Sequence, residues 1–117
     1  SDQWNFVNKD LASVNRSVTP WVIMTMHRPL YSSSSGYANT PKPAPEKHDD
    51  YARVTLEPLM RKYHVNVGVY GHVHTYERSE PILQNFTLAG ESHGAALDSG
   101  TVHIVSGSAG NVYNPDW

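Results

Sequence analysis

Three histidines follow the ends of two apolar segments, a placement suited to binding metal ions. His27 comes directly after the apolar run 21–26, and His72 and His74 come after the predicted strand 65–70 with one residue between them. Side chains two positions apart in an extended segment project to the same side, so both imidazoles could reach one metal ion or two neighbouring ions. A bare His-x-His pair is also typical of ordinary polar residues at a strand end. The second strand that ends in a histidine favours the metal site, because open parallel sheets bind ligands beyond the carboxyl ends of their strands.

The elements that must position these histidines alternate between strand and helix. Apolar periodicity predicts a helix over residues 3–15, and the run 21–26 predicts a strand buried on both faces. A second helical pattern begins near Asp49, where Pro58 is expected to kink it or to start another short helix, and it leads into the strand 65–70. A helix between two apolar strands predicts a parallel βαβ unit, and therefore an α/β fold. The other predicted elements are a strand within residues 83–88, a strand over residues 101–105 and an exposed loop rich in Ser and Pro over residues 32–45.

The overall composition excludes several classes of protein. The 117 residues include 9 Lys and Arg against 11 Asp and Glu, which gives a net charge of −2. Nucleic acids and anionic membranes select clustered basic residues, whereas the densest basic run here is 61–62, so neither partner is expected. No apolar run approaches the roughly 20 residues of a membrane span. The absence of Cys excludes disulfides, thiolate zinc sites and cysteine nucleophiles.

The motif around the histidine pair resembles that of the purple acid phosphatases, which belong to the calcineurin-like metallophosphoesterase superfamily. The segment Gly-His-Val-His-Thr-Tyr-Glu-Arg at 71–78 carries the resemblance most strongly, with support from 27–32 and 56–59. Gly71 within this motif is expected to let the backbone bend toward a cofactor. The resemblance implies that residues 1–117 are the C-terminal portion of a single metallophosphoesterase domain, a layered α/β/β/α sandwich that is incomplete in this chain.

The resemblance also implies a dinuclear metal centre and a reaction. Family members combine Fe(III) with a divalent Zn, Mn or Fe ion and hydrolyse phosphate monoesters at acidic pH. By position in the motifs, His27 and His72 correspond to ligands of the divalent ion, and His74 corresponds to a ligand of the ferric ion. The family's Asp, Tyr and Asn ligands precede the His27 position, and this sequence contains no Gly-Asp dipeptide. Three neutral imidazoles suit a trivalent cation poorly. The chain is therefore expected to need the remainder of the catalytic domain and to be inactive alone.

Further candidate residues have both a functional and a structural interpretation. His48 lies where the family places a histidine that binds substrate or donates a proton, or it is an exposed residue near a helix start. Glu77 and Arg78 could orient the loop that carries the histidine pair, or they could form a surface ion pair. Tyr31 lines the cleft or packs against a neighbouring element. The other histidines, His64, His93 and His103, are interpreted as ordinary structural residues.

Two triplets, at Asn15 and at Asn85, fit the pattern for N-glycosylation, which matters only in an exported protein. Together with the export that is usual in the family, they predict a secreted or vacuolar protein. Two other functions remain open: a different calcineurin-like phosphoesterase, such as a phosphodiesterase or nucleotidase, and a noncatalytic binding module that retains the fold.

Overall fold

The described structure consists of a mixed four-stranded sheet, a two-stranded sheet and two helices. This computed structural model describes residues 1–33, 47–83, 86–87 and 100–109. In chain order the elements are α1 (Asp2–Ala12), β1 (Ile23–Met26), α2 (Lys47–Lys62), β2 (Val67–Tyr70), β3 (Tyr76–Arg78), β4 (Ile82–Leu83), β5 (Phe86–Thr87) and β6 (Val102–Ser106). The larger sheet has the strand order β1-β2-β6-β3. Its first three strands run parallel, and β3 is antiparallel to β6. The predicted α/β class is confirmed.

Helix α1 begins and ends at residues that satisfy its free backbone groups. The Ser1 side chain caps the N-terminus by accepting a hydrogen bond from the Trp4 amide at 3.4 Å. At the other end, the Ser13 hydroxyl donates to the Asp10 carbonyl at 2.7 Å. The helix is therefore shorter than the predicted range 3–15. Leu11 from its apolar stripe is buried in the core.

Helix α2 is one continuous element, so Pro58 does not start a second helix. Proline cannot donate the hydrogen bond that would reach the carbonyl of Val54, one turn earlier. Both residues are exposed, so water can satisfy that carbonyl. The opposite side of the helix contributes Leu59 and Met60 to the core.

Strands β1 and β2 form the parallel pair that the sequence predicts, with Ile23 beside Val67 and Met26 beside Tyr70. The prediction that the first strand is buried on both faces is wrong for this chain. Ile23 is 61% exposed, whereas Met24 packs against the core, because the described helices cover only one face of the sheet. Trp21, just before the strand, is 65% exposed.

The later strands agree with the sequence in part. Strand β6 matches the predicted strand 101–105 to within one residue at each end. The predicted strand within 83–88 is instead a pair of two-residue antiparallel strands, β4 and β5. Strand β3 was not predicted, because three residues are too few to give a period. Its hydrogen bonding to β6 holds the chain directly after the histidine pair against the sheet.

The core lies between the helices and the covered face of the sheet. Its buried side chains are Leu11, Leu30, Leu59, Met60, Val65, Tyr70, Val73 and Val105. Of the predicted loop 32–45, residues 34–45 lie outside the described residues, and Ser32 is buried rather than exposed. Among the described residues, we find no helix with the length and apolarity that a membrane span requires.

Candidate metal centre

The parallel pair of strands brings His27 and His72 into contact at its carboxyl end. Beyond the last paired residues of β1 and β2, the Gly71 amide donates a hydrogen bond to the His27 carbonyl at 3.0 Å. The Nε2 atom of His27 and the Nδ1 atom of His72 are 3.0 Å apart, and the two rings meet edge to face. His27 is exposed and His72 is half-buried. Two imidazole nitrogens therefore converge at a place that solvent can reach.

The backbone at His72 adopts an uncommon conformation. Its φ is 65°, and the Val73 amide donates to the Gly71 carbonyl at 2.8 Å, so His72 is the central residue of a γ-turn with positive φ. This form of the γ-turn is the rarer and more strained one, and such strain at a non-glycine residue is concentrated at functional sites. The positive φ belongs to His72, whereas Gly71, which was expected to let the backbone bend, is the first residue of the turn.

A glycine that the sequence analysis missed allows this turn to form. A Cβ atom on Gly107, just after β6, would lie 2.1 Å from the Val73 carbonyl oxygen and 3.1 Å from the Gly71 carbonyl carbon. The Gly107 amide also donates to the Thr75 carbonyl at 3.3 Å. The backbone after β6 therefore packs directly against the γ-turn. The sequence signal was a glycine just after the predicted strand 101–105.

Replacing Gly107 with alanine is expected to destabilise the chain by about 1–3 kcal/mol, because the added methyl group meets backbone atoms that cannot rotate away. Urea denaturation followed by circular dichroism measures this change. Gly71→Ala is the matched control, since a Cβ there would lie 3.6 Å from the nearest His27 atom, an ordinary van der Waals contact. Equal stability of the two variants would contradict the close approach.

His27 and His72 together offer two nitrogen ligands at hydrogen-bond distance from each other, a pair that suits a divalent ion better than a trivalent one. Two nitrogens bound tetrahedrally to Zn²⁺ lie roughly 3.3 Å apart, close to the observed separation of the His27 and His72 nitrogens. Within the described ranges, no group of three or more His, Asp or Glu side chains could hold a metal ion, so His74 does not complete a three-ligand group there. Fe(III) prefers anionic oxygen, which this pair does not provide. The role of His74 stays a prediction.

The carboxylate of Glu77 connects the two segments that carry these histidines. It accepts hydrogen bonds from the Ser32 hydroxyl at 2.7 Å, the Ser33 amide at 2.7 Å and the Ser33 hydroxyl at 2.9 Å. The Thr75 hydroxyl donates to it at 3.2 Å. Burial would raise the pKa of Glu77, but these hydrogen bonds outweigh burial and hold the pKa below its ordinary value. Arg78, the other residue of the predicted pair, has an exposed side chain.

Tyr31 and His103 belong to a cluster of contacting polar side chains that also includes Glu57 and Tyr70. The Tyr31 hydroxyl donates to Glu57 Oε1 at 2.5 Å, and its ring packs edge-on against His103. The Tyr70 hydroxyl lies 2.7 Å from His103 Nδ1, and both side chains are buried. Burial raises the pKa of Tyr70, with further increases from Tyr31 and Glu57 nearby. Burial also lowers the pKa of His103 to about 4. Neutral His103 is therefore a core residue, which agrees with its structural interpretation.

The other candidate residues lie on helix α2, in the turns that follow the helices, or outside the described residues. His48 lies in the first turn of α2, among residues whose side chains are not described. Asn15 is exposed in the turn after α1, and its side-chain oxygen accepts a hydrogen bond from the Ser17 amide at 3.0 Å. His64 is half-buried in the turn that follows α2, and its carbonyl accepts a hydrogen bond from Arg16. Asn85 and His93 lie outside the described residues.

Comparisons with known proteins agree on one family. Residues 1–76 match the family model described as calcineurin-like phosphoesterase. The chain is 40% identical over 113 residues to a protein of Arabidopsis thaliana named "Probable inactive purple acid phosphatase 27", covering 95% of this chain and 18% of the relative. It is 36% identical to an acid phosphatase of Aspergillus ficuum, covering 95% of this chain and 17% of that protein. It is 37% identical to a nucleotide pyrophosphatase/phosphodiesterase of Hordeum vulgare, covering 93% of this chain and 29% of that protein.

A solved structure extends the similarity to three dimensions. The purple acid phosphatase isolated from yellow lupin (Lupinus luteus) seeds superposes with a TM-score of 0.76 at 40% sequence identity, covering 92% of this chain and 19% of that one. The chain thus spans less than a third of the length of each of these proteins. The four-stranded sheet and its helices correspond to a fragment of the larger fold.

Proposed function

Because the chain belongs to the calcineurin-like phosphoesterase family, we propose that it is the C-terminal portion of a metal-dependent acid phosphatase that hydrolyses phosphate monoesters. Residues 1–117 would then form part of a single catalytic domain whose further layers complete an α/β/β/α sandwich. The observation that carries the proposal is the 3.0 Å approach of His27 Nε2 to His72 Nδ1 beyond the ends of parallel strands. Similarity to purple acid phosphatases along nearly the whole chain supports it.

The proposed centre combines Fe(III) with a divalent Zn, Mn or Fe ion, and this chain contributes only histidines to it. His27 and His72 would hold the divalent ion, and His74 would hold the ferric ion. The chemistry that a divalent ion held by His27 and His72 would supply is Lewis-acid polarisation of a phosphoryl oxygen. The chain's own part is to present two neutral nitrogens, one of them on the strained γ-turn, in fixed relative positions. The anionic ligands for the ferric ion must come from the remainder of the catalytic domain.

A metal titration of the 117-residue chain tests the histidine pair. We expect isothermal titration calorimetry to detect one equivalent of Zn²⁺, and we expect His27→Ala or His72→Ala to weaken binding by at least about tenfold, because each change removes one of two ligands. His74→Ala is the matched control and should leave Zn²⁺ binding nearly unchanged. Binding that survives the loss of both His27 and His72 would refute this site.

A test of the substrate class requires the longer protein. Two other functions are each supported by a relative of this chain. The relative named nucleotide pyrophosphatase/phosphodiesterase favours a diesterase, and the relatives named inactive favour a noncatalytic module. We expect the longer protein to hydrolyse p-nitrophenyl phosphate faster than bis(p-nitrophenyl) phosphate, and His72→Ala to abolish both activities. The opposite preference would indicate a diesterase. Metal binding without any hydrolysis would indicate a module.

We also propose roles for His48 and Arg78 in the reaction and for Asn15 as a glycosylation site. His48 would donate a proton to the leaving group, and Arg78 would lie beside the site. We also propose a secreted or vacuolar protein that carries a glycan on Asn15, whose exposed side chain lies in a turn while the neighbouring Arg16 is tied inward by hydrogen bonds to His64 and Asn66. The second triplet, at Asn85, stays a prediction.

A further inference from the structure

The segment that follows His27 is buried although it belongs to no helix or strand. Leu30 has no exposed surface, Pro29 is also fully buried, and Ser32 is 7% exposed. A buried segment outside the backbone ladder of a sheet must be held by other interactions. In this chain, side-chain hydrogen bonds to two carboxylates provide them.

The first carboxylate reaches the segment from helix α2. The Tyr31 hydroxyl donates to Glu57 Oε1 at 2.5 Å, the short distance that is typical of a charge-assisted bond. The Tyr31 ring is half-buried and packs against the buried His103 ring, with 4.8 Å between the centroids. The side chain therefore has little freedom to turn away from Glu57.

The second carboxylate reaches the segment from strand β3. Both oxygens of Glu77 are used: Oε1 accepts from the Ser32 hydroxyl, and Oε2 accepts from the Ser33 amide and hydroxyl. Glu77 lies three residues after His74 in the chain. One carboxylate thus ties the segment after His27 to the segment that carries the other two candidate ligands.

We infer that Glu57 and Glu77 form a carboxylate clamp on residues 31–33, and that this clamp sets the position of His27 against His72. The part of the inference that concerns metal affinity rests on the proposed function. Tyr31 and Glu77 are then positioning residues rather than substrate contacts. Pro29 restricts the backbone between the clamp and His27, so displacement of residues 31–33 is transmitted to the histidine.

The clamp acts on the backbone that carries the exposed His27 ring. That ring meets His72 edge to face, with 3.0 Å between His27 Nε2 and His72 Nδ1, and the Gly71 amide donates to the His27 carbonyl, so a displaced backbone would break these contacts. Metal ligands must stay within about 0.5 Å of their working geometry. A shift of the His27 backbone by about 1 Å would move the two nitrogens away from the roughly 3.3 Å separation of a tetrahedral site.

The first test needs no metal and uses the 117-residue chain. We expect nuclear Overhauser contacts between the His27 and His72 imidazole protons, and a several-fold loss of their intensity in Tyr31→Phe and in Glu77→Gln. Tyr63→Phe is the matched control: its half-buried side chain also donates a hydrogen bond to a side-chain oxygen, Asn8 Oδ1 at 2.8 Å, but this bond ties the turn after α2 to α1. The contact should persist in this variant, although its fold loses a hydrogen bond of the same kind.

Ser33→Ala keeps the test decisive if a clamp variant fails to fold. Its exposed hydroxyl donates one of the bonds to Glu77 and the backbone amide is retained, so a smaller loss of contact intensity is expected. Contacts of wild-type intensity in folded Tyr31→Phe and Ser33→Ala would overturn the inference. Absence of the contact in the wild-type chain would overturn it as well.

A Zn²⁺ titration of the same variants separates the clamp from the proposed function. We expect the dissociation constant to rise about tenfold in Tyr31→Phe and Glu77→Gln and to stay unchanged in Tyr63→Phe, as is usual when residues that orient metal ligands are altered. Clamp-dependent ring contacts without wild-type Zn²⁺ binding would refute the proposed metal site and leave the clamp supported. Zn²⁺ binding of equal strength in all variants would overturn the clamp alone.

Discussion

Acidification from pH 7 to pH 4 is expected to lower the unfolding free energy of the 117-residue chain by about 3 kcal/mol through His103 alone. Burial lowers the pKa of His103 from 6.5 to about 4 in the folded chain. A depressed pKa means that the folded state binds fewer protons than the unfolded state between these values. The stabilisation is therefore complete above pH 6.5 and is lost progressively as the pH falls toward 4.

The surroundings of His103 explain why its imidazole is neutral rather than protonated in the folded chain. Tyr70 and Tyr31 pack against it as uncharged rings, and its backbone amide is occupied by the Ser79 hydroxyl at 2.9 Å. The pKa of Tyr70 is raised, so its hydroxyl stays protonated and forms a hydrogen bond with His103 Nδ1, whose direction depends on the His103 tautomer. The carboxylate of Glu57 bonds to Tyr31 and lies beyond it. A protonated His103 would lose its acceptor nitrogen and place a charge in the core.

Urea denaturation at pH 7, 6, 5 and 4 measures this effect. The comparison is the His103→Gln variant, because a glutamine amide oxygen can still accept a hydrogen bond from Tyr70 but the glutamine side chain does not titrate. The decline between pH 6.5 and 4 should be about 3 kcal/mol smaller in the variant. Glu77, whose pKa is lowered, contributes a loss in the same direction only below its ordinary pKa of 4.5, and it is present in both proteins. Parallel pH profiles would contradict a buried neutral His103.

The histidine pair was predictable because it depends on features that neighbouring residues determine. Two apolar runs, each ending in a histidine and separated by a helical pattern, imply parallel strands whose ends meet, and the structure joins His27 to His72 in this way. The exposure of Ile23 was not predictable, since an apolar run does not indicate whether both faces of its strand are covered. The chain spans only a fraction of the length of its relatives, and one face of its sheet has no described helix packed against it.

The supporting contacts could not be predicted, because they join distant parts of the chain. Glu77 bonds to serines 44 and 45 residues earlier, and Tyr31 bonds to a carboxylate 26 residues later. The positive φ of His72 likewise depends on the backbone that Gly107 brings against it. Local patterns indicate which residues are candidates for chemistry, whereas tertiary packing determines what holds them.

Gly68→Ala is expected to destabilise the chain by about 1–3 kcal/mol, because the added methyl group meets the buried Tyr70 side chain. A Cβ atom on Gly68 would lie 2.0 Å from the Tyr70 hydroxyl and 2.6 Å from its Cζ. Gly68 also pairs with His103 in the neighbouring strand, so the Tyr70 ring lies over this glycine on its way to the His103 nitrogen. The methyl group would displace the ring and break that buried hydrogen bond. Urea denaturation at pH 7 measures the loss.

A double-mutant cycle with Tyr70→Val identifies the cause. Once the ring is absent, the methyl group at position 68 has room, so Gly68→Ala should have little further effect in that background. The coupling between the two changes should reach about 1–3 kcal/mol. Additive effects would indicate that the alanine acts through the strand backbone rather than through Tyr70. The sequence of β2 does not indicate whether Val67 and Val69 or Gly68 and Tyr70 face the helices. The structure shows that Gly68 and Tyr70 lie on the covered face, and the need for glycine at position 68 follows from that.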